Sequence, residues 1–236
     1  QGNPDKALLS QCIGDAFDTT VARFPDREAL VVRHQALRYT WRQLAAAVDQ
    51  HARALMALGV QPGDRLGIWA PNCAEWCITQ FASAKVGAIL VNINPAYRSS
   101  ELDYALGQSG CRWVICADAF KTSDYHAMLL ELIPGLANGQ PGALRCERFP
   151  ELRGVVSLAS TPPPGFLAWH DLQACGNPVT AQALAERQAQ LQPGDPINIQ
   201  YTSGTTGFPK GATLSHSNIL NNGYMVGESL GLTEHD

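Results

Sequence analysis

"RLGIWAPNCAEWCITQFASAKVGAILVNI", residues 65–93, decides the fold. Its first part, "RLGIWA", is short and apolar and follows the turn "QPGD", the pattern of a buried strand. "PNCAEWCITQFASAKVG" then reads as a helix capped at Asn72, with Glu75 three residues on. "AILVNI" is a second strand, rich in branched residues. Strands that are apolar at successive positions bury both faces, as parallel strands under crossover helices do.

The same alternation extends both ways. Upstream, "RYTWRQLAAAVDQHARALMALGV" starts a helix at Thr40, where Thr40 and Gln43 have capping-box spacing. Trp41, Leu44, Val48, Ala52, Leu55 and Met56 fall on one face, and Gly59 suits a left-handed C-terminal position. Downstream, "SSELDYALGQSG" is a helix capped by Ser99 or Ser100. "RWVICA" is a strand, "TSDYHAMLLELIPGL" a helix and "RGVVSL" another strand. The expected fold is α/β: a mainly parallel sheet with crossover helices on both faces. Residues 137–152 and 159–178 are rich in Pro and Gly and read as surface connections. "AQALAERQAQ" reads as a short helix.

The chain has 236 residues, 45% of them apolar and 16% charged, which fits a soluble globular protein. A formal charge of −4 without a Lys/Arg run gives no reason to expect a nucleic-acid partner. Seven cysteines at irregular spacing favour reduced thiols and a cytoplasmic setting. The longest apolar region is interrupted by Lys85, so no transmembrane segment is expected. Cys73 and Cys77 could share a helix face, but a metal site needs two more ligands, and none is assigned. Glu101 and Asp103 read as first-turn charges that suit the helix dipole. Trp41, Trp69, Trp76, Trp113 and Trp169 read as core or rim aromatics.

The chemistry gathers late. "YTSGTTGFPKGATLSH", residues 201–216, is a loop between two strands, "INIQY" and "GATLS", with a helix expected from about Ser217. Glycines let backbone N–H groups turn inward and form an anion-binding concavity. Ser203, Thr205 and Thr206 add short donors, and Lys210 adds a compact cation suited to phosphate oxygens. Pro209 stiffens the approach to that lysine. A Walker-type loop would open directly into a helix after its lysine, whereas here a strand follows. His216 could approach the site or cap the helix that follows.

The stretch "YTSGTTGFPKG" resembles the signature of the AMP-forming acyl-adenylating enzymes, a superfamily that includes acyl-CoA synthetases, luciferases and peptide-synthetase adenylation domains. "LRYTWRQL", "GVQPGDRLGIWAPNCAEW" and "KVGAILVNINPAYRSSELDYAL" agree with it. "NINPAY", "GCRWVICADAFKTSDY" and "QPGALRCERFPELRGVVS" look closest to fatty-acyl-CoA synthetases of the medium-chain type. The resemblance implies a ligase that uses ATP, Mg²⁺ and coenzyme A to activate a fatty acid. It places Thr202, Ser203, Gly204, Thr205, Thr206, Gly207, Phe208, Pro209 and Lys210 on the ATP phosphates.

It also implies that residues 1–236 are the N-terminal part of an AMP-binding domain. Within them, residues 1–190 hold the crossover units and residues 191–236 the strand, phosphate loop, second strand and start of the next helix. The acyl, adenine and magnesium segments and the C-terminal domain would then lie beyond Asp236. The 236 residues alone are therefore expected to be inactive, with a mobile loop. Two alternatives stay open: an adenylating enzyme for an aryl or amino acid, and a stand-alone nucleotide-binding or interaction module.

Overall fold

The computed structural model describes residues 7–202 and 209–234. It opens with α1 (Ile13–Arg23), the hairpin of β1 (Glu28–Val32) and β2 (Leu37–Thr40), and α2 (Trp41–Ala57). The crossover units are β3 (Arg65–Trp69), α3 (Ala74–Val86), β4 (Ile89–Asn92), α4 (Ser99–Ser109) and β5 (Trp113–Cys116). A small hairpin, β6 (Ala119–Phe120) and β7 (Ser123–Asp124), leads into α5 (Tyr125–Leu132). Next come β8 (Gly154–Ser157), β9 (Phe166–Ala168), α6 (Trp169–Cys175) and α7 (Ala181–Gln188). The described chain closes with β10 (Pro196–Thr202), β11 (Lys210–Ser215) and α8 (His216–Leu230).

Seven strands form the main sheet in the order β11-β10-β4-β3-β5-β8-β9, all parallel except β11. The order explains the layers. The chain moves one way from β3 to β4, then back across β3 to β5. Right-handed crossovers in opposite directions put their helices on opposite faces. α4 and α5 take one face, where Trp69 stacks on Tyr125 with ring centroids 3.5 Å apart and Tyr201 Oη donates to Ala105 O at 3.1 Å. α3 takes the other, packed between α1 and α2.

The strands bury both faces as their composition requires: Leu66, Ile68, Leu90, Val91, Val114 and Ile115 are all buried. The expected capping box of α2 is present, with Thr40 Oγ1 accepting from Gln43 N at 3.3 Å and Gln43 Oε1 accepting from Thr40 N at 2.9 Å. Gly59 has the positive φ, 77°, expected of it. Lys85, which breaks the apolar run of α3, is buried and held by Asp18 at 2.6 Å and Asp49 at 2.7 Å, so one cation joins α1, α2 and α3.

Several local expectations are corrected. The N-cap of α3 is Cys73, not Asn72, and makes no side-chain capping bond. Gln35, far away in sequence, takes that role: its Oε1 accepts from Ala74 N at 2.8 Å and its Nε2 donates to Glu75 Oε2 at 2.9 Å. α4 is capped at Arg98, so Ser99 and Ser100 are its first turn, and Glu101 Oε2 reaches back to Arg98 N at 3.1 Å. The helix expected over residues 122–136 begins at Tyr125, because Asp124 caps it by accepting from Ala127 N at 2.9 Å.

Residues 159–178 are not merely a surface connection. They contain β9 and α6, since pairing with β8 buries Phe166 and Ala168 and α6 buries Leu172. Residues 137–152 lack long elements but bury Leu144, Phe149 and Leu152. α1 and β1 have no counterpart among the sequence expectations.

Candidate phosphate-binding site

β10 carries the site to its place. It runs parallel to β4, with Gln200 beside Asn92, so Thr202 projects past the carboxyl end of its neighbour. Ligands of open α/β sheets bind at this carboxyl edge, because loops there are free of the sheet ladder and backbone N–H groups can converge. The chain leaves β10 after Thr202 and returns as β11 at Lys210, the two residues facing each other across the antiparallel pair. Thr202 Oγ1 donates to Lys210 O at 3.4 Å, a weak closure at the base of the loop.

Residues 203–208, which include six of the expected phosphate contacts and the expected mobile loop, lie outside the described residues. Thr202, Pro209 and Lys210 are the site residues whose placement is described, and the hairpin brings them together. Thr202 and Lys210 are exposed. Lys210 has no ion-pair partner among the described residues, so its charge is available to a ligand. Two features steady the hairpin base. Tyr201 is anchored to α4 by its hydroxyl, and burial pushes its phenol up to about 12. Gly211 lies opposite Tyr201, where a Cβ would come 3.1 Å from Ile199 Cγ2 and 3.4 Å from the tyrosine ring.

The helix after the hairpin satisfies its own N-terminus. Ser215 Oγ accepts from Asn218 N at 3.2 Å and Asn218 Oδ1 accepts from Ser215 N at 3.0 Å. His216 is the first residue of α8 and is wholly buried. Its Nδ1 accepts from Ile13 N at 3.2 Å, so the ring is turned into the fold and does not line the loop.

Chemically, the hairpin can grip anions, and no carboxylate or imidazole stands among its described strand residues. The sequence reading missed a second group at the carboxyl edge. His126 Nε2 and Ser157 Oγ are 2.8 Å apart, and Ala159 N donates to the same hydroxyl at 3.1 Å. Ser157 is fully buried, which makes this pair a tie between α5 and β8. β8 is also four strands from β10, about 19 Å at ordinary strand spacing. A cleft of about 570 Å³ lies elsewhere, around Lys85, Asp18, Asp49 and Arg53. Among the described residues, no cluster of three or more His, Cys, Asp or Glu side chains is arranged to hold a metal ion. No helix there is long and apolar enough to cross a membrane.

Comparison with known proteins adds the family. The AMP-binding enzyme family model matches residues 17–236. The chain belongs to the AMP-binding enzyme family. Among curated AMP-binding relatives, mouse "Medium-chain acyl-CoA ligase ACSF2, mitochondrial" is 47% identical over 233 residues, covering 98% of this chain and 37% of that protein. The chain therefore spans little more than a third of that relative's length. Among solved structures, a candidate long-chain-fatty-acid CoA ligase of Rhodopseudomonas palustris superposes with a TM-score of 0.76 at 24% identity. That match covers 97% of this chain and 50% of the other, and it supports the AMP-binding fold alone. The anthranilate CoA ligase AuaEII, solved with anthranoyl-AMP, gives 0.70 at 27% identity, covering 89% of this chain and 36% of that one.

Proposed function

We propose that this chain supplies the phosphate-gripping part of an AMP-forming acyl-CoA ligase. The carrying observation is the hairpin: the chain leaves the carboxyl end of a parallel-paired strand at Thr202, carries a Ser/Thr/Gly-rich sequence, and returns at Lys210, an exposed lysine without an ion pair among the described residues. In this reading Thr202, Ser203, Gly204, Thr205, Thr206, Gly207, Phe208, Pro209 and Lys210 hold the β- and γ-phosphates of ATP. A fatty-acid carboxylate attacks the α-phosphorus, and the bond to the bridging oxygen breaks to release pyrophosphate. The loop's donors and Lys210 stabilise the charge that builds on that leaving group. Coenzyme A thiolate then attacks the acyl carbonyl and expels AMP, leaving the thioester.

ATP, a fatty acid and coenzyme A are the substrates of this reading. Mg²⁺ bound to the nucleotide would neutralise phosphate charge. The described strand residues of the hairpin include no carboxylate to ligate it, so no step is assigned to it here. The site side chains named by this reading are phosphate contacts only. Turnover is expected from the longer protein that carries this chain, and not from the 236 residues alone.

A medium-chain acid is favoured over an aryl acid because the mouse medium-chain ligase is 47% identical while the anthranilate ligase is 27% identical. The seven free thiols support a reducing compartment, which the cytoplasm provides. The relative's name adds the mitochondrion as the alternative address.

The test is acid-dependent exchange of labelled pyrophosphate into ATP, measured on the longer protein. Acids of increasing chain length are compared with anthranilate. A maximum at medium chain length is expected. A maximum on anthranilate would transfer the reading to aryl acids, and exchange with no acid would remove the ligase reading.

A further inference from the structure

His216 is a buried imidazole that phosphate binding leaves unexplained. It sits where three parts of the chain meet: the end of β11, the first turn of α8 and the entry to α1. Its backbone N–H donates to Asp195 O at 3.3 Å, at the turn that precedes β10. Its Nδ1 accepts the Ile13 N–H, 203 residues away in sequence. One turn further along α8, Asn221 makes a two-pronged contact with the same N-terminal segment. Its Oδ1 accepts from Leu9 N at 2.7 Å and its Nδ2 donates to Leu9 O at 3.0 Å. Ile13, Ala84 and Ile197 form a small buried cluster beneath, with Phe81, Ile219 and Leu220 packed against it.

This anchoring matters because β11 is an edge strand whose one strand partner among the described residues is β10. Most of β11 is exposed, so its own side chains bury little to hold it. What fixes its far end is α8, and α8 is tied down by residues 9–13. We propose that neutral His216 is a positioning residue for the phosphate hairpin, coupling the N-terminal segment at Ile13 to the strand that begins at Lys210. The proposal rests on the phosphate reading of that hairpin for its functional meaning, but the coupling itself can be measured without a ligand.

Neutrality is built into the geometry. Nδ1 can accept from Ile13 only when it carries no proton. Protonation would set two donors against each other. Burial lowers the affinity of the ring for a proton, and the carboxylates of Asp195 and Asp15 pull the other way. The Cys12 thiol faces the same two carboxylates, and burial pushes it up to about 11, so it stays neutral through the relevant range. Lys85 on α3 lies beside Gly14, but Asp18 and Asp49 hold its charge. Acidification below the ordinary histidine range therefore breaks the Ile13 contact, and the coupling is retained above it.

The experiment is residue-resolved hydrogen exchange on the 236-residue chain, as protection factors from pH 7.5 down to 5. The proteins compared are wild type, His216→Leu and His216→Asn. Leucine removes the acceptor and leaves the Ile13 N–H buried and unpaired, so protection in the β10–β11 ladder should fall about tenfold. Protection at Gly67 and Val114 in the central sheet should not change. Asparagine places a carbonyl oxygen where Nδ1 stood, and should restore the ladder. Wild-type ladder protection should decline as pH falls, whereas that of His216→Asn should not. Equal ladder protection in wild type and His216→Leu, or the same pH profile in wild type and His216→Asn, would overturn the coupling.

If His216→Leu also loses protection at Gly67 and Val114, the comparison of wild type with His216→Asn decides. Titration with inorganic pyrophosphate separates the two readings. Binding weakened by Lys210→Ala but untouched by His216→Leu sinks the positioning role and leaves the phosphate reading standing. Binding insensitive to Lys210→Ala sinks the phosphate reading, while the exchange profiles still judge the coupling.

Discussion

β3 and β10 are strands of one sheet, both paired in parallel with β4, yet they are held very differently. β3 has a parallel neighbour on each side and helices over both faces, and Leu66, Ile68 and Trp69 are buried. β10 has β4 on one side and only the exposed edge strand β11 on the other, and near its end Gln200 and Thr202 are exposed, with half-buried Tyr201 between them. The difference separates the packed scaffold from the hairpin of the proposed phosphate site. The centre holds the carboxyl edge in place, and the hairpin can present donors there because it is not committed to the core.

That division is broken first, and with the largest expected effect, by Trp69→Ala. The indole stacks on Tyr125, donates from Nε1 to Asn94 O at 3.2 Å and is fully buried. Its loss should cost about 3–5 kcal/mol of stability, read from urea unfolding. A cost below about 1 kcal/mol would mean that the centre is no firmer than the edge. Lys210→Ala probes the other side. In the longer protein it should raise the barrier to pyrophosphate exchange by about 3 kcal/mol, roughly a hundredfold in rate. The urea midpoint should hardly move, because Lys210 is exposed and without an ion pair among the described residues. Lost stability with unchanged exchange would remove Lys210 from the proposed phosphate site and place it in the scaffold.

Next in size is the pH dependence of the scaffold. His51 is fully buried between Thr79 and Gln173, and burial pushes its pKa down to about 3. The unfolded chain binds a proton at the ordinary histidine pKa of about 6.5. The folded chain does not until near 3. The stabilisation is therefore complete above pH 6.5 and is lost as pH falls toward 3. The slope from this one group should be up to about 1.4 kcal/mol per pH unit, and His51→Gln should flatten it. Urea midpoints across pH 7 to 4 measure it. Smallest is Thr40→Ala, which removes the α2 cap and should cost about 1 kcal/mol without altering pyrophosphate binding.

How much of this was legible in the sequence follows from the range of the forces involved. The crossover strands were readable because burial on both faces makes them apolar at every position, a signal that needs no partner to interpret. The Thr40–Gln43 cap was readable because its two bonds span three residues. The cap of α3 was not, because Gln35 reaches it from another element. β9 and α6 were hidden in a Pro/Gly-rich stretch because they are short, and only pairing with β8 makes Phe166–Ala168 a strand. Much the same holds at the site. The residue types from Thr202 to Lys210 raise the expectation of an anion grip by composition and spacing, and the hairpin pairing of Thr202 with Lys210 fits that proposal. His216 remained ambiguous because its partner, Ile13, lies at the opposite end of the chain.

The sequence by itself determined the alternation of strands and helices, the donor-rich composition between Thr202 and Lys210 and the strand that follows Lys210, because these depend on neighbouring residues and on the period of apolar side chains. The tertiary structure decided the strand order, the position of Thr202 and Lys210 at the carboxyl edge and the anchoring of α8 by residues 9–13. Those depend on contacts between residues far apart in the chain, which form only when burial of the shared core outweighs the entropy of bringing them together.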